Sequence, residues 1–262
     1  MIPFFRFTAF QIGPVTIQVW GLMVSLGILA ALGFALYLSK KYILSSAIFT
    51  DLALYSIVGG MLGARLFHIV FYNSDYYLAN PGEILAVWHG GASSLGGFFG
   101  AATAAYIFAK VRRFTWATLV PYIDIGVLSL WLGWGIGRIG CFLIHDHPGT
   151  LTHFVLGVRY PEGVRHDLGL YDSIVGFILF FIFWALFSRL TRKAPGLLTA
   201  ASALSYALIR FCLDFLRATD LEGADIRYTY LTPAQWGMLV VIGLTGSFIY
   251  TKMRQHKRGE VA

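Results

Sequence analysis

The run ATLVPYIDIGVLSLWLGWGIGRIGCFLI, residues 117–144, carries only two charged side chains, Asp124 and Arg138. As a helix rising ~1.5 Å per residue, it exceeds the ~30 Å hydrocarbon core of a bilayer. Six further apolar runs lie near 15–38, 47–72, 92–109, 170–188, 196–216 and 234–251. Of the 262 residues, 57% are hydrophobic and 13% charged, against ~25% charged in an ordinary soluble domain. Backbone groups in lipid must be satisfied within the segment that carries them. The expected fold class is therefore all-α, a polytopic membrane protein of about seven transmembrane helices. The longest non-apolar stretch, 145–169, is too short for a core of its own. Residues 1–262 accordingly read as a single integral-membrane domain.

The start, MIPFFRFTAFQIGPVTIQ, lacks the basic, apolar and small-residue order of a cleavable signal peptide. Cys141 and Cys212 both fall in apolar runs, which indicates neither a disulfide framework nor a zinc site. Basic residues follow alternate spans: Lys40 and Lys41; Lys110, Arg112 and Arg113; Arg189, Arg192 and Lys193; Lys252, Arg254, Lys257 and Arg258. The positive-inside rule then puts the N-terminus outside and the C-terminus in the cytoplasm. The net charge of +7 is mostly anchoring charge facing anionic lipid heads and gives no reason to expect nucleic acid. Loops 73–91, 145–169 and 217–232 would lie outside, the first with an interfacial helix where Tyr76, Tyr77 and Trp88 suit the headgroup level. No internal repeat points to an inverted-repeat transporter.

Ionisable groups inside membrane spans are rare and functional by default. Arg65, His68 and Tyr72 share one helix face, just after the close-packing glycines Gly59, Gly60 and Gly63. A structural alternative pairs Arg65 with Asp51 or Asp124. Tyr206, Arg210, Asp214 and Arg217 follow at steps of four, four and three, a polar stripe in which Asp214 can bridge two arginines. Two arginines to one acid leave room for an anion, although a plain ion-pair ladder is the alternative. Arg138 lies about 9–10 Å inside a helix end, among Gly133, Gly135, Gly137 and Gly140. Glycine at that density permits close backbone approach to a neighbour or a ligand. A guanidinium there suits a lipid phosphate through paired hydrogen bonds, or else serves as helix glue. Gly96 and Gly97, in the glycine-rich start of the third span, could offer backbone N–H groups to an anion or simply serve packing.

On these residues the chain resembles the prolipoprotein diacylglyceryl transferases. GRIGCFLIHDHPG (137–149) resembles the family signature, and VWGLMVSLGI (19–28), GARLFHIVFYN (63–73), VWHGGASSLGGFFGA (87–101), RHDLGLYD (165–172), YALIRFCLDFLR (206–217) and YLTPAQW (230–236) resemble further family segments in order. The resemblance implies transfer of the diacylglyceryl group of phosphatidylglycerol to the lipobox cysteine of preprolipoprotein signal peptides, without metal or soluble cofactor. It also implies a bacterial inner-membrane enzyme, expected to be a monomer, with its active site toward the outer leaflet. Arg138 and Arg210 become the phosphate-binding and catalytic arginines, supported by Tyr206, Asp214 and Arg217. Arg65 and Asp124 fall on family positions, as do Gly137, Gly140 and Gly149, and Asp146 and Asp172 stand for glutamates.

The chain departs from the pattern at four points. Leu95 stands where the family histidine is expected, Cys141 for asparagine, Trp20 for tyrosine and Gly169 for glutamine. A relocated base could be His145, His147, His89 or His166. The alternative is a non-catalytic or repurposed homologue that binds or moves anionic phospholipid. His145, His147, His153 and His166 with Asp146 match no metal-site spacing.

Overall fold

The computed structural model describes residues 1–71, 73–86, 91–221 and 227–257. Tyr72, Trp88 and His89 lie outside the described residues, as does the side chain of Leu95. The helices are α1 (Val19–Lys41), α2 (Ser46–Phe71), α3 (Ser74–Ala79), α4 (Ser94–Val111), α5 (Trp116–Ile144), α6 (Leu168–Lys193), α7 (Leu197–Leu213) and α8 (Pro233–Lys257). Six helices are long and apolar enough to cross a membrane, and the shorter apolar stretch Phe99–Val111 belongs to α4. The seven apolar runs thus fall on α1, α2, α4, α5, α6, α7 and α8, and the protein is an all-α polytopic membrane protein.

Two strand elements depart from the expected pattern. Residues 15–18 do not open the first span. They form β3 (Val15–Gln18), antiparallel to β2 (Ala9–Ile12). The segment expected as a loop between α5 and α6 contains β4 (Pro148–Leu151), β5 (Val158–Tyr160) and β6 (Gly163–Asp167). With β1 (Ile2–Pro3) they make a sheet ordered β1-β5-β6-β4, in which β1 runs parallel to β5. Strands this short carry no readable alternation, and the β1–β5 pairing joins distant parts of the chain.

The chain forms two compact units, residues Leu36–Tyr122 and Met1–Ala35 with Ile123–Ala262. In the first, α2 packs on α4 along a glycine seam. A Cβ added at Gly63 would stand 2.4 Å from the Gly96 carbonyl oxygen, and one at Gly100 would stand 2.2 Å from that of Gly59. Contacts this close are why small residues recur at membrane helix interfaces. Asp51, offered as a partner for Arg65, instead pairs with Arg112 at 2.9 Å.

In the second unit, α5 meets α1 through Gly133 and Gly27, where a Cβ on Gly27 would come within 2.5 Å of the Gly133 carbonyl oxygen. On another side α5 meets α6, where a Cβ on Gly176 would stand 2.8 Å from the Gly135 nitrogen. Ser173 Oγ donates to the Gly135 carbonyl at 2.8 Å. The buried carboxylate of Asp124 accepts from Gly196 N at 3.1 Å, Thr199 N at 3.0 Å and Thr199 Oγ1 at 2.6 Å. It thereby caps the first turn of α7 from another helix. α8 opens with a reciprocal capping box: Gln235 N donates to Thr232 Oγ1 at 3.1 Å, and Thr232 N donates to Gln235 Oε1 at 2.9 Å.

Gly63→Val should destabilise the α2–α4 pair by about 1–3 kcal/mol through overpacking. Gly97→Ala, whose nearest neighbours would be 3.7 Å away, should be tolerated. Thermal unfolding in detergent checks this; equal melting temperatures for the two variants would contradict the seam.

Candidate active site

Three consecutive helices of the second unit bring their buried charges together. Asp172, in the first turns of α6, pairs with two guanidiniums through one oxygen. Arg138 Nη2 of α5 and Arg210 Nη1 of α7 each lie 3.1 Å from Asp172 Oδ2. Arg210 Nη2 reaches Asp214 Oδ1 at 3.0 Å, and Arg217 Nη1 approaches the same oxygen at 3.8 Å. Thr232 Oγ1 donates to the other oxygen of Asp214. Asp172 and Asp214 are thus shared among Arg138, Arg210 and Arg217. Asp172 Oδ1 is buried without a hydrogen-bond partner among the described residues. Arg138 also lies 4.5 Å over the Trp134 ring, a favourable site for a desolvated cation. Tyr206 packs on Trp131 and Trp134 beside Asp172, Arg210 and Arg138.

The other edge of Arg138 faces the end of α5. Its Nη1 lies 3.5 Å from Cys141 Sγ and 3.4 Å from His147 Nε2. His147 Nδ1 hydrogen-bonds Asp146 Oδ1. His145 goes elsewhere, its φ of 53° turning the chain as α5 ends. Its Nδ1 lies 2.6 Å from Asp167 Oδ2, and its side chain is 1% exposed among Phe4, Phe5, Phe142 and Tyr160. The histidine pair of the sequence is therefore split, one in an aromatic cage and one beside Arg138.

Several other expected residues have structural uses. Arg65 donates to the backbone carbonyls of Glu83, Ile84, Ala86 and Gly91, and it stacks 5.0 Å over Tyr77. The expected anion cradle at Gly96 and Gly97 is filled from within. Ser93 Oγ takes the Gly96 N–H and Ser93 O takes that of Gly97. Gly140 lies against α1, with Met23 and Trp20 within 3.4 Å of an added Cβ, while Gly137 makes only ordinary contact with Val24. Gly149 abuts Leu216 and His166 and bridges to Arg217, tying β4 to the chain after α7.

Asp172 as the shared partner is the main feature the sequence reading did not place. An acid in the first turns of an apolar span, opposite two intramembrane arginines, was the available signal. Arg165 and Asp220 were missed as well. Their bidentate bridge, 3.0 and 2.6 Å, holds β6 to the segment after α7. Among the described residues, Cys141, Asp146 and His147 could offer a metal three donor atoms within 4.8 Å of one another. Arg138 Nη1 already touches two of those donors, so a fixed positive charge stands where a cation would sit.

Outside the spans, burial and the neighbouring Asp167 carboxylate push the Tyr160 phenol up, so it stays protonated and donates to Asp167 Oδ2 at 2.8 Å. The hydrogen bonds from Arg165 hold the Asp220 carboxyl below its usual range. Burial pushes His166 down.

Residues 7–251 match the family model described as prolipoprotein diacylglyceryl transferase. The chain belongs to that family. It is similar to proteins named phosphatidylglycerol–prolipoprotein diacylglyceryl transferase across nearly its whole length. The relative from Nitrosomonas europaea is 31% identical, covering 99% of this chain and 94% of its own. The one from Cupriavidus necator is 33% identical, covering 92% and 90%. That from Coxiella burnetii is 29% identical, covering 95% and 96%. Family membership embraces both units of the fold, and Arg138, Asp172 and Arg210 all lie within the matched span.

His166 gives this sheet an acid-sensitive element. Its folded-state pKa is below that of an unfolded histidine, ~6.5. The unfolded chain therefore binds the proton first, and the contribution to stability is full above about pH 6.5 and declines as the pH falls. His166→Gln should flatten the drop in melting temperature between about pH 7 and 5 relative to wild type; an unchanged slope would contradict it.

Proposed function

We propose that this protein transfers the diacylglyceryl group of phosphatidylglycerol to the lipobox cysteine thiol of preprolipoproteins, releasing glycerol phosphate. The observation that carries this reading is the pair of guanidiniums, Arg138 and Arg210, sharing one Asp172 oxygen within a family-matched bundle. The donor lipid is a phosphodiester with one negative charge. Both arginines can turn N–H groups toward a phosphate in forked hydrogen bonds.

In the transfer, the thiol sulfur forms a bond to the glyceryl carbon as the carbon–oxygen bond to phosphate breaks. The leaving glycerol phosphate gains negative charge, and donors fixed beforehand near that oxygen lower the barrier. Asp172, Asp214 and Thr232 hold Arg210 so that little reorganisation is needed when charge develops. Tyr206 and Arg217 flank this pair, and Asp146 and His147 stand at the other edge of Arg138. His145, held on Asp167, serves as a packing residue rather than a participant. Arg65, Gly96 and Gly97 shape the α2–α4 unit, and Asp124, Gly137, Gly140 and Gly149 shape the helices around the arginines.

Residues 1–262 act as one integral-membrane domain and as a monomer in the bacterial inner membrane. The N-terminus lies outside, the C-terminus lies in the cytoplasm, and the site faces the outer leaflet. Alternating basic helix ends support this orientation: Lys40 and Lys41, Lys110, and Arg192 and Lys193 close their respective helices. Nucleic acid has no part in the reaction, and neither a metal nor a soluble cofactor is needed.

The test is purified protein in phosphatidylglycerol proteoliposomes with a lipobox peptide. The expected products are a thioether-linked diacylglyceryl peptide and glycerol phosphate. Arg138→Ala or Arg210→Ala should each lower kcat by about 10²–10³ or more, the scale of losing one transition-state donor. Wild-type rates in either variant would remove that arginine from the mechanism. Lipid binding without any lipidated peptide would favour a non-catalytic lipid binder.

A further inference from the structure

We propose that His147, oriented by Asp146, is the proton acceptor of the reaction, and that Arg138 covers its acceptor nitrogen until a donor phosphate arrives. The inference rests on the transferase reading. Its basis is the contact sequence Asp146–His147–Arg138, in which each neighbour fixes the state of the next.

Arginine has donors only. Its Nη1 at 3.4 Å therefore makes His147 Nε2 an acceptor carrying a lone pair. The ring proton then sits on Nδ1 and is donated to Asp146 Oδ1. A neutral imidazole held by a carboxylate on one nitrogen, with its lone pair free on the other, is the arrangement a general base needs. The same Nη1 belongs to the guanidinium whose other end pairs with Asp172. When the lipid phosphate draws Arg138 into its own hydrogen bonds, the contact with Nε2 is given up. The lone pair is uncovered beside the bound phosphodiester, where the thiol must attack.

Two other described histidines of the segment 145–169 are otherwise engaged. His145 is caged and bonded to Asp167, and His166 Nδ1 is bonded to Tyr171 at 2.8 Å. His153 is exposed on the loop after β4. The position where the resemblance expects a histidine is Leu95, a hydrocarbon that can take no proton. A merely solvated Asp–His pair would have no reason to touch Arg138. His147 is 26% exposed, open enough for a substrate thiol to reach it.

The thiol S–H proton passes to Nε2 while the sulfur electron pair forms the bond to the glyceryl carbon. The electrons of the broken carbon–oxygen bond stay on glycerol phosphate, and the imidazolium returns its proton to that phosphate or to water. The charged and titratable groups facing His147 are Asp146, Arg138 and Cys141, with Asp172 behind Arg138 and Tyr160 and Asp167 beyond Asp146.

The experiment measures kcat against pH, and direct phosphatidylglycerol binding, for wild type, His147→Gln, Asp146→Asn and His153→Ala in phosphatidylglycerol proteoliposomes with a lipobox peptide. His147→Gln should lower kcat about 10²–10⁴-fold near neutral pH, the usual worth of a general base, with lipid binding unchanged. The loss should shrink as the pH nears ~8.5, where a thiol ionises unaided. Asp146→Asn should lower kcat less, and His153→Ala should match wild type. Wild-type kcat in His147→Gln, or lipid binding lost in step with kcat, would overturn the assignment. A wild-type protein that binds the lipid but makes no thioether would instead overturn the transferase reading itself, and this proposal with it.

Discussion

One carboxylate oxygen, Asp172 Oδ2, is held by guanidiniums from two other helices, each at 3.1 Å. The cost of taking these charges out of water is several kcal/mol per ion and is recovered only with good geometry and further hydrogen bonds. That condition explains much of what surrounds the pair. Arg210 is held from its second nitrogen by Asp214, which is in turn held by Thr232 at the start of α8. Gln235 ties the same turn to the Phe211 carbonyl at 3.1 Å. These charges are thus organised into a single network spanning α5, α6, α7 and the entry to α8.

Glycine makes that network geometrically possible. α6 can bring Asp172 to Arg138 because Gly135 and Gly176 let the two backbones nearly touch, with Ser173 bonding across the seam. α1 closes on α5 in the same way through Gly27 and Gly133. A glycine-dense helix is intrinsically weak, and here its stability comes from neighbours packed against its backbone. The arginine between glycines in the α5 run is therefore positioned by helix contacts rather than by its own helix.

The small sheet does the corresponding work at the end of α5. The chain turns at His145, and Leu168 N donates to the His147 carbonyl at 3.1 Å. Gly149 bridges to Arg217, and Arg165 reaches Asp220. The sheet is thus fastened to α5, to the start of α6 and to the segment after α7. It separates two neighbouring histidines by giving His145 an aromatic cage and leaving His147 on the side of Arg138.

The residues themselves determined the membrane class, the places of the spans and the arginines that lie within them. Spans are set by local hydrophobicity, and an intramembrane arginine is conspicuous wherever it occurs. The Asp214 bridge to Arg210 and Arg217 was also legible, because steps of three and four are fixed by the helix itself. The Thr232–Gln235 cap could have been read from its spacing for the same reason. Only the tertiary structure decided that Asp172 joins Arg138 to Arg210, that Arg65 is spent on backbone carbonyls, and that Gly96 and Gly97 serve packing. It alone separated His147 from His145. Those outcomes depend on contacts between residues far apart in the chain, and a one-dimensional pattern of hydrophobicity and spacing does not carry the distances that create them.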